Sequence, residues 1–227
     1  SRLAAIGELS AGVAHEINNP LTAIKGFSEL LLARYDLDEA VKSDVEAIFK
    51  EAQRATRITQ DLLSFARRHG PEKCFISINE ALAKNLDLYA CHMKTNNIDM
   101  VVEFDPELPK TMADFYQLQQ VFMNIVINAE QAMSEAHGRG KLTVKTQRSD
   151  GMIQVIFADD GPGISEENMK RIFDPFFTTK EVGKGTGLGL PICYGIVEAH
   201  GGRIYAQSKL GTGATFVVEI PIVSEGQ

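Results

Sequence analysis

The sequence predicts two domains of different class. These are an N-terminal antiparallel helical hairpin that pairs into a dimeric four-helix bundle, and a C-terminal α/β sandwich. Glycine divides the chain, since none occurs from residue 27 to 69, whereas 11 of the 19 glycines lie between Gly161 and Gly213. The first part repeats apolar residues at heptad spacing, and the second alternates short apolar runs with loops. We therefore expect domains at residues 1–70 and 71–227.

Two long stretches of the first part follow a heptad pattern, which is typical of packed helices. The seam of the first stretch is Leu3, Ser10, Ile17, Ile24 and Leu31, with Ile6, Val13, Pro20 and Phe27. The seam of the second is Val41, Ile48, Ala55 and Leu62, with Val45, Ala52, Thr59 and Ala66. A lone pair of such helices buries only one side of each seam, which favours a homodimer over a monomeric hairpin covered by the second half.

Polar segments separate these elements. Tyr35–Asp38 is short and polar, and we expect it to turn the chain between the two helices. His69–Glu72 includes Gly70 and Pro71, which end the second helix and form the linker between the domains.

The second part predicts a mixed sheet with helices on one face. The predicted helices cover residues 78–93, 115–136, 166–172 and 190–200. The predicted strands cover residues 98–104, 142–147, 153–158, 203–208 and 215–220.

Composition excludes several classes of protein. The net charge of −7 and a pI near 5.3 argue against nucleic-acid binding by phosphate neutralisation. The chain has neither a transmembrane-length apolar run nor a signal peptide at its start, so we expect a cytoplasmic segment without membrane contact. Cys74, Cys91 and Cys193 are odd in number and widely spaced, which predicts reduced, packed thiols without a disulfide or metal cage.

His15 occupies position f of the heptad, which points it away from the bundle core. Glu16 follows directly, Asn19 lies one turn later on the same face, and Pro20 interrupts the helix at a cost of about 3 kcal/mol. A zinc-protease motif needs a second histidine where Asn19 stands, so metal ligation fails. The alternative is attack on phosphorus by a neutral imidazole, with Glu16 accepting the ring proton or holding the tautomer.

The loop from Gly183 to Gly189 carries glycine at every second position. Such a backbone exposes several N–H groups to an anion, and a helix starting near Leu190 adds the positive end of its dipole. Neither the Walker nor the dinucleotide-binding pattern fits. The glycine spacing alone therefore leaves two interpretations open, a phosphate-binding loop of another kind and a flexible loop.

Amide side chains form a polar stripe on the predicted helix at 115–136. Asn124, Asn128 and Gln131 fall at i, i+4 and i+7 on an otherwise apolar helix. Their oxygens are suitable ligands for Mg²⁺ beside a nucleotide, and a purely structural stripe is the alternative.

These motifs together resemble the catalytic core of bacterial sensor histidine kinases. The segments that resemble the family's H, N, first G, F and second G boxes occur in family order, at residues 14–21, 124–132, 160–163, 173–177 and 185–190. The resemblance implies a dimerisation and histidine-phosphotransfer bundle, followed by an ATP-binding domain of the Bergerat type shared with gyrase, chaperones and mismatch-repair proteins.

The resemblance also implies roles for individual residues. His15 is the site of autophosphorylation, Glu16 its activating neighbour, and Asn19 the amide that aligns water for dephosphorylation of the partner. Asn128, with Asn124 nearby, is the Mg²⁺ ligand. The remaining ATP-binding residues by resemblance are Asp160 as adenine reader, Gly161, Gly163, the lid lysines Lys180 and Lys184, Gly185, Thr186, Gly187, Leu188, Gly189 and Thr215. Which lysine contacts phosphate stays open.

The expected activity is ATP-dependent phosphorylation of His15, then transfer to an aspartate of a response regulator receiver domain. The superfamily's ATP hydrolases carry a glutamate where Asn124 stands, and an amide cannot act as a base, which favours transfer to a protein nucleophile over hydrolysis. A nucleotide-gated dimeric clamp and a dedicated phosphatase are the competing readings. By resemblance, an upstream sensor domain is absent from this chain.

Overall fold

The computed structural model describes residues 17, 19–33, 37–66, 73–180 and 185–223. Two compact units divide the chain. The first, called here the helical unit, comprises Ser1–His69 with Glu181–Leu188, and the second, the α/β unit, comprises Gly70–Lys180 with Gly189–Gln227.

The described part of the helical unit is dominated by two long helices. Helix α1 covers residues 19–33, and helix α2 covers Glu39–Ala66. Asp38 begins α2, because its Oδ1 accepts the backbone N–H of Val41 at 3.0 Å and satisfies a donor that the first turn leaves unpaired. Residues 35 and 36 of the predicted turn, and the predicted linker at 69–72, lie outside the described residues.

The two seam positions of α2 differ in burial. Val45, Ala52 and Thr59 are buried, as one seam position requires. Val41 and Ile48, at the other position, are exposed by 43% and 51%. On α1 the predicted seam also faces solvent, and its exposed apolar side chains are Ile17, Ile24, Phe27 and Leu31. Only part of the predicted seam is therefore buried in a single chain.

The α/β unit is built on a mixed five-stranded sheet with the order β2-β4-β5-β7-β6. Strand β2 runs parallel to β4, and every other neighbouring pair is antiparallel. The strands are β2 (Ile98–Glu103), β4 (Gly140–Ser149), β5 (Met152–Asp159), β6 (Arg203–Ser208) and β7 (Ala214–Pro221). The helices are α3 (Ile78–Thr95), α4 (Phe115–His137), α5 (Glu166–Met169) and α6 (Gly189–Ala199).

The predicted mixed sheet with helices is confirmed, but two details were wrong. Strands β1 (Cys74–Ile76) and β3 (Thr111–Ala113) form a separate antiparallel pair that the sequence analysis missed. Each has only three residues, too few for an alternating pattern to show. The helix predicted at 166–172 ends at Met169 and is a single turn.

The core lies between one face of the sheet and helices α3, α4 and α6. Residues on β5 alternate, with Ile153, Val155 and Phe157 buried on the helix side. Helix α4 packs on α3, α6, β4 and β5, and its buried side chains include Val121 and Phe122. The site described below is built on this helix.

Local signals define the ends of α4. The Oδ1 of Asp114 accepts the backbone N–H groups of Tyr116 and Gln117, both at 3.0 Å, and so caps the first turn. Gly138 ends the helix in the left-handed conformation with φ of 64°.

Two further expectations are tested by the fold. Among the residues described, no helix has the length and apolar character that a bilayer crossing requires. All three cysteines are free, as expected, but only Cys193 is buried, so the prediction of packed thiols was wrong for Cys74 and Cys91.

Candidate nucleotide-binding site

The polar stripe of α4 meets the start of α6. Asn124 and Asn128 are half-buried, and Asn124 Nδ2 donates to the carbonyl oxygen of Gly189 at 3.4 Å. A Cβ at Gly189 would lie 3.9 Å from Asn124 Cγ and 4.0 Å from Asn128 Nδ2. The missing side chain therefore leaves the two amides beside the first residue of α6.

The approach to α6 follows the glycine-rich loop. Gly187 has φ of 65°, a left-handed conformation that glycine adopts without strain. Leu188 donates its backbone N–H to Thr186 Oγ1 at 3.3 Å. Gly185, Thr186 and Gly187 are half-buried and Leu188 is buried. The chain therefore continues from this loop directly into the 11-residue helix α6, whose N-terminus is the positive end of its dipole.

Lys180 brings a cation to the polar stripe. Its Nζ donates to Oε1 of Gln131, the third member of the stripe. Burial lowers the pKa of Lys180 from its ordinary value, and the charges of Glu135 and Glu130 oppose that shift. Lys184, the other predicted lid lysine, lies outside the described residues.

Asp159 and Asp160 have different surroundings. Asp159 Oδ1 accepts the backbone N–H groups of Gly161 at 2.9 Å and Ala214 at 3.2 Å. Burial raises the pKa of Asp159, these two hydrogen bonds oppose the shift, and the charge of Asp160 adds to it. Asp160 is exposed, and its Oδ1 accepts the backbone N–H of Lys141 at 2.7 Å.

The loop after β5 is held against the β6–β7 hairpin. Gly163 has φ of 73°, and a Cβ there would collide with the carbonyl oxygen of Lys209. Ile164 donates its backbone N–H to Ser208 Oγ at 2.8 Å. Close packing thus accounts for Gly163 without a ligand. At Gly161 a Cβ would lie 2.9 Å from the Asp159 carboxylate, so glycine is required there for the loop to pass that side chain.

Thr215 lies on the same hairpin. It is half-buried on β7, where it pairs with Ala158 of β5 and Gln207 of β6. Thr215 follows Ala214, whose backbone N–H donates to the Asp159 carboxylate. The hydroxyl that was predicted to lie beside the adenine therefore belongs to the next residue along the chain.

The predicted phosphoacceptor residues are described only in part. His15 and Glu16 lie outside the described residues. Asn19 is helical and exposed, and Pro20 is accommodated within the helix.

The donor set fits a magnesium site. Within the described ranges, no group of three or more His, Cys, Asp or Glu residues could hold a metal ion. The amide oxygens of Asn124 and Asn128 are hard ligands, and Mg²⁺ characteristically takes a few protein oxygens together with water and substrate phosphates.

Comparison with known proteins identifies the family. The family model "Histidine kinase-, DNA gyrase B-, and HSP90-like ATPase" matches residues 113–224, and "His Kinase A (phospho-acceptor) domain" matches residues 5–71. The catalytic domain of histidine kinase ThkA is 36% identical, with a TM-score of 0.58 over 66% of this chain and 95% of that domain. The chain belongs to the sensor histidine kinases. Signal transduction histidine-protein kinase AtoS of Escherichia coli K12 is 40% identical over 99% of this chain and 36% of its own length.

Two longer histidine kinase structures extend the comparison. Full-length ShkA in complex with AMPPNP has a TM-score of 0.81 at 26% identity, covering 97% of this chain and 47% of ShkA. ThkA in complex with the response regulator TrrA has a TM-score of 0.70 at 32% identity, covering 100% of this chain and 64% of ThkA. The chain spans less than half of the length of the curated relatives compared, from 25% of sensor kinase CckA of Brucella abortus to 48% of sensor histidine kinase ZraS of Salmonella typhi.

The sequence analysis did not single out Asp159. It predicted Asp160 as the adenine reader, and the structure shows Asp160 exposed and Asp159 half-buried. The signal was present in β5, because the buried residues Ile153, Val155 and Phe157 alternate and the same period continues to position 159. The period of two points Asp159, and not Asp160, towards the helix side of the sheet.

Proposed function

We propose that this chain is an ATP-dependent protein-histidine kinase that phosphorylates His15 and passes the phosphoryl group to an aspartate of a response regulator. The family membership supports the class of reaction. The observation that carries the proposal for this chain is the meeting of the α4 amide stripe with the start of α6, where Asn124 Nδ2 donates to Gly189 O. That arrangement combines a helix N-terminus, which can bind phosphate, with amide oxygens, which can bind Mg²⁺, and a nucleoside triphosphate requires both.

The proposed reaction is a phosphoryl transfer between nitrogen and oxygen. A ring nitrogen of His15 attacks the γ-phosphorus, and the bond from that phosphorus to the bridging oxygen breaks. ADP leaves with the electron pair, while Glu16 accepts the ring proton or holds the reactive tautomer. The receiver aspartate then attacks the phosphorus and His15 is regenerated.

Asn128 and Asn124 would hold the magnesium ion through their amide oxygens. When bound, Mg²⁺ supplies charge neutralisation on the phosphates. Catalysis by this chain's own residues consists of positioning the nucleotide and complementing its charge.

Lys180 is the proposed phosphate cation among the two lid lysines. Its contact with Gln131 supports this, since it puts an ammonium group on the same stripe as Asn124 and Asn128. The partial burial that lowers its pKa also strengthens its attraction for a phosphate.

Asp159 is the proposed adenine reader in place of Asp160. Two backbone N–H groups fix Oδ1 of Asp159, which orients Oδ2 to accept an exocyclic amine. We expect Asp159→Asn to weaken ATP binding by roughly tenfold or more, since an amide nitrogen in place of an oxygen opposes another donor. Asp160→Asn is the matched control and should bind within about twofold of the wild type by calorimetry; the reverse ranking would restore Asp160 as the reader.

The homodimer is the proposed assembly, with the boundaries 1–70 for the dimerisation and phosphotransfer domain and 71–227 for the ATP-binding domain. The exposed seam on α1 and α2 supports it, because Ile24, Phe27 and Ile48 are 44%, 68% and 51% exposed in one chain. ATP as the proposed substrate supports a cytoplasmic location for this segment.

A phosphatase activity towards the response regulator is the second candidate function. Asn19 supports it, because it is exposed on α1 four residues after His15, where an amide can reach a docked receiver domain. Loss of regulator dephosphorylation in Asn19→Ala, with His15 phosphorylation retained, is the expected result. Unchanged dephosphorylation would remove this function.

The test of the kinase proposal is incubation of the 227-residue chain with γ-labelled ATP and Mg²⁺. We expect label on the protein that is lost in acid and stable in alkali, as a phosphoramidate bond requires. His15→Ala should carry none, whereas the control His92→Ala, an exposed histidine on α3, should label like the wild type. Label in His15→Ala would overturn the proposal and leave a nucleotide-gated clamp or a dedicated phosphatase as the account.

A further inference from the structure

His200 lies immediately after α6 and uses both ring nitrogens inside the protein. It is buried, and its Nε2 accepts the backbone N–H of Asp114 at 2.9 Å. Its Nδ1 lies 2.8 Å from the carbonyl oxygen of Ile196. Because Asp114 N–H can only donate, Nε2 must be unprotonated, and Nδ1–H therefore donates to Ile196. One neutral tautomer satisfies both contacts.

The partner of His200 is the residue that caps α4. Asp114 Oδ1 accepts the N–H groups of Tyr116 and Gln117, so Asp114 sets where α4 begins. The His200 ring fixes the backbone of that cap, and it does so from the last turn of α6.

Helix α6 is thus joined to α4 at both ends of α6. At the nucleotide end Asn124 Nδ2 meets Gly189 O at 3.4 Å. Between the ends Cys193 Sγ lies 3.7 Å from the Val121 carbonyl oxygen. At the far end His200 meets Asp114. A change in the His200 contact would therefore alter the alignment of α4 with α6, and with it the spacing of the amide stripe from the start of α6.

We infer that His200 is a positioning residue for nucleotide binding, holding the α4 cap and the end of α6 in the register that brings Asn124 and Asn128 to Gly189. This inference rests on the proposed function, because it concerns the same nucleotide site. His200 touches no reacting atom, and its effect is on the affinity for ATP and not on the transfer step.

The contact depends on the neutral ring. Burial is the largest effect on His200 and lowers its pKa from the ordinary value of 6.5. The charge of Lys73 also lowers the pKa, whereas the hydrogen bond to Ile196 and the charge of Asp114 raise it. Lys73 and Asp114 are the residues whose charges act on this pKa, and Lys73 Nζ donates to the Ala199 carbonyl oxygen at 2.9 Å. A proton on Nε2 would oppose the Asp114 N–H, so protonation breaks the contact. Because the pKa of His200 is lowered, this happens only at a pH below the ordinary value of 6.5.

Two substitutions separate positioning from a general loss of stability. His200→Phe keeps a ring of similar size but leaves Asp114 N–H without an acceptor, and we expect its affinity for MgATP at pH 8 to fall by roughly tenfold. His200→Gln can offer a carboxamide oxygen to that N–H and does not titrate, so it should bind within about twofold of the wild type at pH 8. The control is His92→Gln, an exposed histidine of α3 stacked on Tyr89.

The deciding measurement is MgATP affinity of the 227-residue chain from pH 8 to 5.5, by calorimetry, for wild type and variants. Comparison at each pH cancels the titration of the nucleotide itself. We expect the wild type to lose affinity relative to His200→Gln as the pH falls below 6.5 towards the lowered pKa of His200, while His92→Gln follows the wild type. At saturating ATP, His200→Phe should label His15 within about twofold of the wild-type rate.

The possible results distinguish the positioning role of His200 from the kinase proposal. Equal affinity of His200→Phe and wild type, or parallel pH profiles of His200→Gln and wild type, would overturn the positioning role while leaving the kinase proposal intact. If His200→Phe does not fold, the pH profiles of His200→Gln and wild type still decide. Failure of the wild type to bind MgATP would overturn both the proposed function and this inference.

Discussion

In the α/β unit the large apolar side chains are buried in a core, whereas in the described part of the helical unit many large apolar side chains face solvent. Leu142, Ile153 and Phe157 are almost completely buried between sheet and helices. Ile24 and Leu31 on α1 are 44% and 40% exposed at the positions of a heptad seam. The comparison indicates that the α/β unit completes its core from its own residues. The described part of the helical unit instead leaves apolar seam positions exposed, which the proposed homodimer would cover.

The largest expected effect is on the self-contained core. Leu142→Ala in β4 removes a fully buried side chain from the sheet–helix interface, and we expect the free energy of unfolding to fall by about 3 kcal/mol. Urea denaturation followed by circular dichroism measures it. Leu88→Ala is the matched control, since Leu88 is 79% exposed on α3 and should change stability by less than about 0.5 kcal/mol. Equal losses in the two variants would contradict the description of the core.

A charge on the helical seam should act on assembly instead. We expect the wild-type chain to sediment as a dimer at micromolar concentration, and Ile24→Lys to weaken dimerisation at least roughly tenfold because an ammonium group would be buried at the interface. Glu29→Lys, an exposed position of the same helix outside the seam, should remain dimeric. A wild-type monomer, or dissociation by both substitutions, would contradict the role given to the seam.

The sequence could predict elements that carry a repeated local pattern, but not those that depend on contacts between distant segments. Heptad and period-two patterns predicted the helices and the sheet strands because each spans several repeats. They could not predict β1 and β3, which are three residues long and formed by pairing between distant segments. The contact of Lys180 with Gln131 likewise joins residues far apart in sequence, so no local pattern distinguishes Lys180 from Lys184.

Asp159 and His200 illustrate two different kinds of omission. Asp159 could have been found from the alternation along β5, since its own strand carries the signal. His200 could not, because its role arises from a contact with Asp114, and neither helix alone indicates it.

The smallest expected effect concerns an ion pair on the sheet. Glu219 is buried on β7, accepts Gln154 Nε2 at 2.7 Å and pairs with Arg203. Burial alone raises the pKa of Glu219, but the hydrogen bonds from Arg203 and Gln154 outweigh it and hold the pKa below 4.5. Because the folded pKa is lowered, this contribution to stability is present above about pH 4.5 and is lost as the pH falls through the folded value.

Glu219→Gln removes that titration. We expect it to lower the free energy of unfolding by about 1 kcal/mol at pH 7 and to flatten its dependence on pH below 4.5 relative to the wild type. Urea titrations at several pH values measure both. If the wild type and Glu219→Gln lose stability in parallel as the pH falls, the acid sensitivity arises from other carboxylates and the role given to Glu219 is contradicted.

We propose that the two domains divide the reaction, with residues 71–227 binding ATP and residues 1–70 providing the phosphoacceptor His15. The most direct test measures MgATP binding and γ-label incorporation in the same preparations of wild type, His15→Ala and Asp159→Asn. The account predicts that His15→Ala binds MgATP within about twofold of the wild type and takes no label, while Asp159→Asn loses binding and label together. Label on His15→Ala, or loss of nucleotide binding in that variant, would contradict the division.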